Sequence, residues 1–66
     1  MGAFNLDSLK KMVDPQWKKH TGNYKKFGYT DEQKKQDADA YRAELIKTYK
    51  AMCPEIEDYI NSLEYE

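Results

Sequence analysis

With 66 residues, one cysteine and one histidine, the chain makes at most one small domain; it excludes an intrachain disulfide and offers too few soft ligands for a structural zinc site. Its 11 basic and 12 acidic side chains leave a net charge of −1, which weakens any reading as a dedicated polyanion binder. No stretch approaches the roughly 20 apolar residues that cross a bilayer, no signal-peptide core appears near the start, and Leu6 stands where a myristoylation motif at Gly2 needs Ser or Thr.

The near-zero net charge hides a segregated one. Residues 1–30 carry six lysines against Asp7 and Asp14, whereas residues 31–66 carry five basic groups against ten carboxylates. Cohesion within one chain and docking of each half on a different surface both account for that division. Size sharpens the question, because a chain this short buries only about 60% of its unfolded surface on folding. Stability must come from well-packed helices, self-association or a larger partner, and the last is weighted most. Nine aromatic residues, six of them tyrosine, argue for order rather than a solvating tail. Tyrosine buries a ring while keeping its hydroxyl wet, which suits narrow stripes and interfaces.

In chain order, Phe4-Asn5-Leu6-Asp7-Ser8-Leu9 reads as a helix entry, with Asn5 as N-cap, Asp7 near the positive helix end and Phe4 stapling onto Leu9. Leu6, Leu9 and Val13 follow at helical spacing. Asp14-Pro15 is expected to end this helix, since the residue before proline avoids the α region. Asp14 then caps a second short turn from Pro15 to about His20, with Gly22 as its stop. Residues 21–30 read as an irregular linker whose Tyr24, Phe27 and Tyr29 close over the protein's own helices, with a partner as the alternative destination.

Thr30-Asp31-Glu32-Gln33 is a capping box and predicts a helix from Asp31 to about Met52. Its first two turns, residues 31–37, hold no apolar side chain. From Ala38 a seam of Ala38, Tyr41, Leu45, Thr48 and Met52, flanked by Ile46 and Tyr49, runs at spacings of three and four. It is too short for a coiled coil and long enough to pack one helix on another. Pro54 breaks the helix and opens a new one, on which Ile56, Tyr59, Ile60 and Leu63 share a face. Ending on Glu64, Tyr65 and Glu66 opposes the helix dipole and predicts fraying unless a cationic partner sits there. No strand signal or repeat occurs, so the fold class is all-α: short N-terminal helical turns, one long capped helix and a C-terminal amphipathic helix after a proline corner, in a single small domain or helical segment spanning 1–66.

Few residues invite chemistry. His20 lacks a visible partner and reads as a surface histidine near a helix end. Cys53 has no second cysteine to resolve an oxidised form, and the neighbouring Glu55, Glu57 and Asp58 oppose a thiolate, so it reads as a buried structural residue at a helix corner. The acidic residues of the last helix lack a calcium-loop pattern, and Gly22 and Gly28 are too isolated for a phosphate loop. No catalytic residue, cofactor, metal or small-molecule substrate is expected. Lysine pairs interleaved with Trp17, Tyr24, Phe27 and Tyr29 favour nucleic acid, but the ten downstream carboxylates oppose it.

Three local resemblances follow from the residues. Tyr29 through Met52 faintly resembles the last helix of an HMG box, although that family is strongly basic and has two longer earlier helices. Lys47-Thr48-Tyr49-Lys50-Ala51-Met52-Cys53-Pro54 is similar to the segment around the last cysteine of the twin-cysteine-hairpin subunit of cytochrome c oxidase, whose other cysteines are missing here. Asp14-Pro15, Tyr24-Lys25-Lys26 and a tyrosine-bearing helix loosely resemble the coupling-factor subunit of the mitochondrial ATP synthase stalk. The last two resemblances imply a small helical subunit on an energy-transducing assembly.

The functional expectation is therefore a non-catalytic accessory or adaptor subunit of a larger protein complex, intracellular and in the mitochondrion, with no membrane contact except through partners. Docking would use the faces Tyr41/Leu45/Tyr49/Met52 and Ile56/Tyr59/Ile60/Leu63, with Trp17 as anchor. The competing reading of Trp17 is a tryptophan over the protein's own core. The alternatives are a small inhibitor of another enzyme and an HMG-like nucleic-acid-binding protein, the second disfavoured by charge.

Overall fold

The computed structural model describes residues 5–65. They form three helices, α1 (Leu6–Lys26), α2 (Asp31–Tyr49) and α3 (Ile56–Asn61), each in contact with the other two. The all-α expectation is met, and no helix among the described residues is long and apolar enough to cross a membrane. The proposed staple from Phe4 lies outside the described residues.

The N-terminal third departs from the sequence reading. Asn5 caps α1 as expected, its Oδ1 accepting the Ser8 N–H at 2.8 Å. Pro15 does not end the helix; it lies inside one 21-residue helix. A mid-helix proline lacks the N–H that would bond the Lys11 carbonyl, and its ring crowds that same group. Burial overrides the penalty. Leu9 and Val13 on one side of Pro15, and Trp17 and Tyr24 on the other, are all buried and share a face, so both halves of α1 are held to the same core.

Gly22 likewise is not the stop. The chain leaves α1 at Gly28, which takes a left-handed φ of 72°. Tyr29 N–H bonds the Tyr24 carbonyl at 2.9 Å and Gly28 N–H bonds the Lys25 carbonyl at 3.3 Å, the paired bonds of a Schellman cap. The expected ten-residue linker therefore shrinks to residues 27–30.

The capping box of α2 is present in full: Thr30 Oγ1 accepts from Gln33 N–H at 3.1 Å and Gln33 Oε1 accepts from Thr30 N–H at 2.9 Å. This helix stops at Tyr49, three residues before Met52, where the Met52 N–H tightens the chain with an i→i−3 bond to the Tyr49 carbonyl at 3.0 Å. Cys53-Pro54 forms the corner, and α3 starts at Ile56, two residues past the proline. Leu9, Val13, Ile56 and Ile60 are fully buried at the centre of the molecule, with Trp17, Tyr24, Leu45 and Tyr49 around them.

The C-terminal segment is tied down by polar groups of the two long helices. Trp17 Nε1 donates to the Glu64 carbonyl at 2.8 Å, and Arg42 Nη2 donates to the Leu63 carbonyl at 2.6 Å. Arg42 of the same chain thus stands where a cationic partner was expected at the acidic end.

Candidate functional site

The residues read as docking faces pack on one another. Trp17, Leu45, Tyr49, Ile56 and Ile60 are core residues of this chain, and Tyr41, Tyr59 and Leu63 are half-buried against them. Only Met52 is open, at 46% exposure. The reason is that α3 folds back across α1 and α2, so both apolar seams find their cover within the molecule. An apolar stripe states that something must cover it; it does not state what.

What the fold leaves outside is charge. A continuous α1 places Lys11, Lys18 and Lys25 seven residues apart along one line, with Lys19 and Lys26 beside them, on the side of the helix opposite its buried face. All five are exposed. Among the described residues, no α1 lysine lies within 4.0 Å of a carboxylate, since the ion pairs present are His20–Asp37, Arg42–Asp39 and Lys50–Glu57. Pro15 and Gly22 fall in the middle of this face and keep it low. The sequence carried the signal in its seven-residue lysine spacing, which is meaningful only once the helix runs through Pro15.

Beside this face, between α1 and the C-terminal segment, lies a groove of about 790 Å³. Lys18 and Lys25 stand on one rim and Lys34, from the first turn of α2, on another. Trp17, Gly22, Leu63 and Tyr65 contribute its apolar lining, and Asp14, Thr21 and Glu64 its remaining polar groups. Asp14 accepts the hydroxyl of Tyr59, so its charge is engaged with α3.

Behind the groove the aromatic residues form a continuous column. The Arg42 guanidinium lies 5.1 Å from the Trp17 ring centroid, Trp17 stacks on Tyr41 at 6.0 Å, and Tyr41 stacks on His20 at 3.8 Å. His20, unpartnered in the sequence reading, has a partner here. Its Nε2 is 2.6 Å from Asp37 Oδ2, which also accepts the Tyr24 hydroxyl at 2.6 Å. With Tyr41 on its face and Tyr24 at its edge, the imidazole is a joint between α1 and α2. Cys53 is buried at the α2–α3 corner, as a structural cysteine would be.

The hydrogen bond from Tyr24, and after it that from His20, holds the Asp37 carboxyl below the usual 3.8, against the opposing effect of burial. A lowered folded value means that the stabilisation is present above pH 3.8 and is lost as pH falls through the depressed value. The His20–Asp37 pair is one-third exposed and adds little by itself. The Tyr24 hydroxyl carries more weight, because its residue is 1% exposed and Asp37 is its acceptor. Asp37→Ala is therefore expected to cost about 2 kcal/mol in urea denaturation by stranding that hydroxyl, and Tyr24→Phe in the same background to recover part of the loss. Additive losses would show that the two groups do not interact.

The tyrosines set the alkaline limit. Its bond to Asp14, and then burial, push the Tyr59 hydroxyl from 10.0 up to about 12, while burial followed by the Asp37 bond raises Tyr24 further. Raised folded values give stabilisation that is complete below pH 10.0 and disappears as pH climbs through about 12. Loss of helical circular dichroism is expected to coincide with tyrosinate absorbance in that window. Ionisation of all six tyrosines near pH 10.0 with the helices intact would contradict the two carboxylate contacts.

A comparison with protein-family models, curated proteins and solved structures finds no match for this chain.

Proposed function

We propose that the chain is a non-catalytic accessory or adaptor subunit that docks, already folded, on a larger protein assembly. The observation that supports this is the outer face of α1: five exposed lysines with no ion-pair partner among the described residues, beside a groove with an apolar floor. Like charges without an ion-pair partner on one helix face repel each other. An acidic partner surface relieves that repulsion, steers encounter and fixes orientation. The apolar faces anticipated from sequence serve the chain's own core, so docking is led by charge and not by folding on the partner. The resemblance to the stalk and oxidase subunits makes a mitochondrial energy-transducing complex the first assembly to test.

The test is the apparent size of the endogenous protein in a gently solubilised native extract. Wild type is expected to co-migrate with a large assembly, and the double variant Lys18→Glu/Lys25→Glu to run near 7.8 kDa. Both sites are exposed, so the fold is retained. Wild type running near its own mass sinks the proposal. The same lysines also suit nucleic acid, the second reading; phosphate binding requires an affinity that falls steeply and linearly with log salt, and no binding at low salt removes it. An inhibitor would use the same face, and would reveal itself by changing the activity of the assembly it joins.

A further inference from the structure

Resting on that docking reading, we infer that the groove between α1 and the C-terminal segment seats an acidic, amphipathic segment of the partner protein. Carboxylates of that segment meet Lys18, Lys25 and Lys34, and one of its apolar side chains passes the low rim at Gly22 to rest on Trp17, Leu63 and Tyr65.

Dimensions fit such an occupant. From Asp14 to Lys25 the groove follows α1 for about 16 Å, at 1.5 Å of rise per residue, enough for roughly five extended residues or three helical turns. Its 790 Å³ accommodates a few side chains rather than a folded domain. The outer rim has a particular feature. Glycine inside a helix is unfavourable, and here no packing requires it, since a Cβ built at Gly22 meets nothing within 4 Å. What Gly22 does is keep that rim low between Lys18 and Lys25.

Charge selects the occupant. The three rim ammoniums have no carboxylate within 4.0 Å among the described residues. Asp14 is bound by Tyr59, which leaves Glu64 as the one unengaged carboxylate in the lining. Lys11, Lys19 and Lys26 on the adjoining face add to the positive field. A basic or neutral segment would bury those ammoniums without compensation. A single-stranded nucleic acid needs an open aromatic face on which bases stack, and Trp17 in the groove does not offer one, being 3% exposed with Tyr41 and Arg42 against its ring; the open ring of Phe27 lies outside the groove lining.

Trp17 is the chain's single tryptophan and lines the groove, so its emission reports occupancy of the full-length protein. The probes are two synthetic peptides of equal length and charge, one with glutamates flanking a central leucine, the other with glutamates flanking a central glycine, and an oligothymidylate of matched charge. The leucine peptide is expected to give a saturable change in Trp17 emission that weakens with salt. Gly22→Leu raises the rim across the groove's mouth with a good helix former, and circular dichroism checks that the variant folds. It should weaken the leucine peptide on the order of tenfold, while leaving the weaker, charge-driven glycine peptide nearly unchanged. No saturable response, an unaltered response in Gly22→Leu, or tighter binding of the oligothymidylate would each overturn the inference. Native extracts separate this from failure of the docking reading. Gly22→Leu still co-migrating with the assembly means that docking holds and the groove is not its seat, whereas wild type migrating alone means that docking itself fails.

Discussion

Trp17→Ala is expected to leave the chain unfolded under conditions in which the wild type is folded. Truncating a buried tryptophan costs about 3–5 kcal/mol through lost burial and the cavity that remains. A core of this size supplies rarely more than about 3–5 kcal/mol in total, so the loss is comparable to the whole. Trp17 also does more than fill space. Its indole N–H holds the Glu64 carbonyl at 2.8 Å, one ring face stacks on Tyr41 and the Arg42 guanidinium lies over the ring. Removing it therefore releases the C-terminal segment as well as opening the core. Trp17→Phe separates the two contributions, because it keeps most of the ring and deletes the donor; about 1 kcal/mol of loss is expected. Urea denaturation followed by circular dichroism reads both variants. The outcome also decides between the two roles open to this residue in the sequence. A tryptophan held in reserve for a partner would tolerate alanine with almost no loss of stability in the free chain.

How far the sequence could be read depended on whether a signal was local. Caps were legible because they are written in adjacent residues: Asn5 and the Thr30/Gln33 box both form the bonds their spacing implies. The seam of α2 was legible as far as Leu45, after which the flanking Tyr49 takes the buried place and Thr48 and Met52 are exposed; the face of α3 was legible too, as was Cys53 at a corner, since periodicity and proline act over a few residues. The identity of the cover was not. Ile56 and Ile60 are fully buried because α3 returns to α1, across more than 40 residues of chain, and no local pattern encodes that return. Arg42 was equally opaque. One exposed-looking basic residue inside a charged helix pairs with Asp39, lies over Trp17 and bonds the Leu63 carbonyl, which depends on three elements meeting. The lysine face failed for a third reason. Its spacing is plain, but a break assumed at Pro15 divided it between two unrelated turns.

That break is where local propensity and tertiary burial disagree most, and it yields the other large effect. Proline inside a helix is disfavoured relative to alanine by about 3 kcal/mol, through the missing N–H and the crowding of the carbonyl four residues before it, here that of Lys11. Pro15 itself is exposed and is not part of the core. The helix continues because Leu9, Val13, Trp17 and Tyr24 hold its two halves against one core. Pro15→Ala should restore the bond to Lys11 without disturbing those four contacts. Part of the gain is offset, because proline also restricts the unfolded chain. The net expectation is a stabilisation of about 2 kcal/mol, seen as a higher urea midpoint at unchanged slope. With α1 unbroken, the line Lys11–Lys18–Lys25 is retained, so binding of an acidic partner should survive the change. A fall in stability would mean that the restriction proline places on the unfolded chain outweighs the restored bond to Lys11.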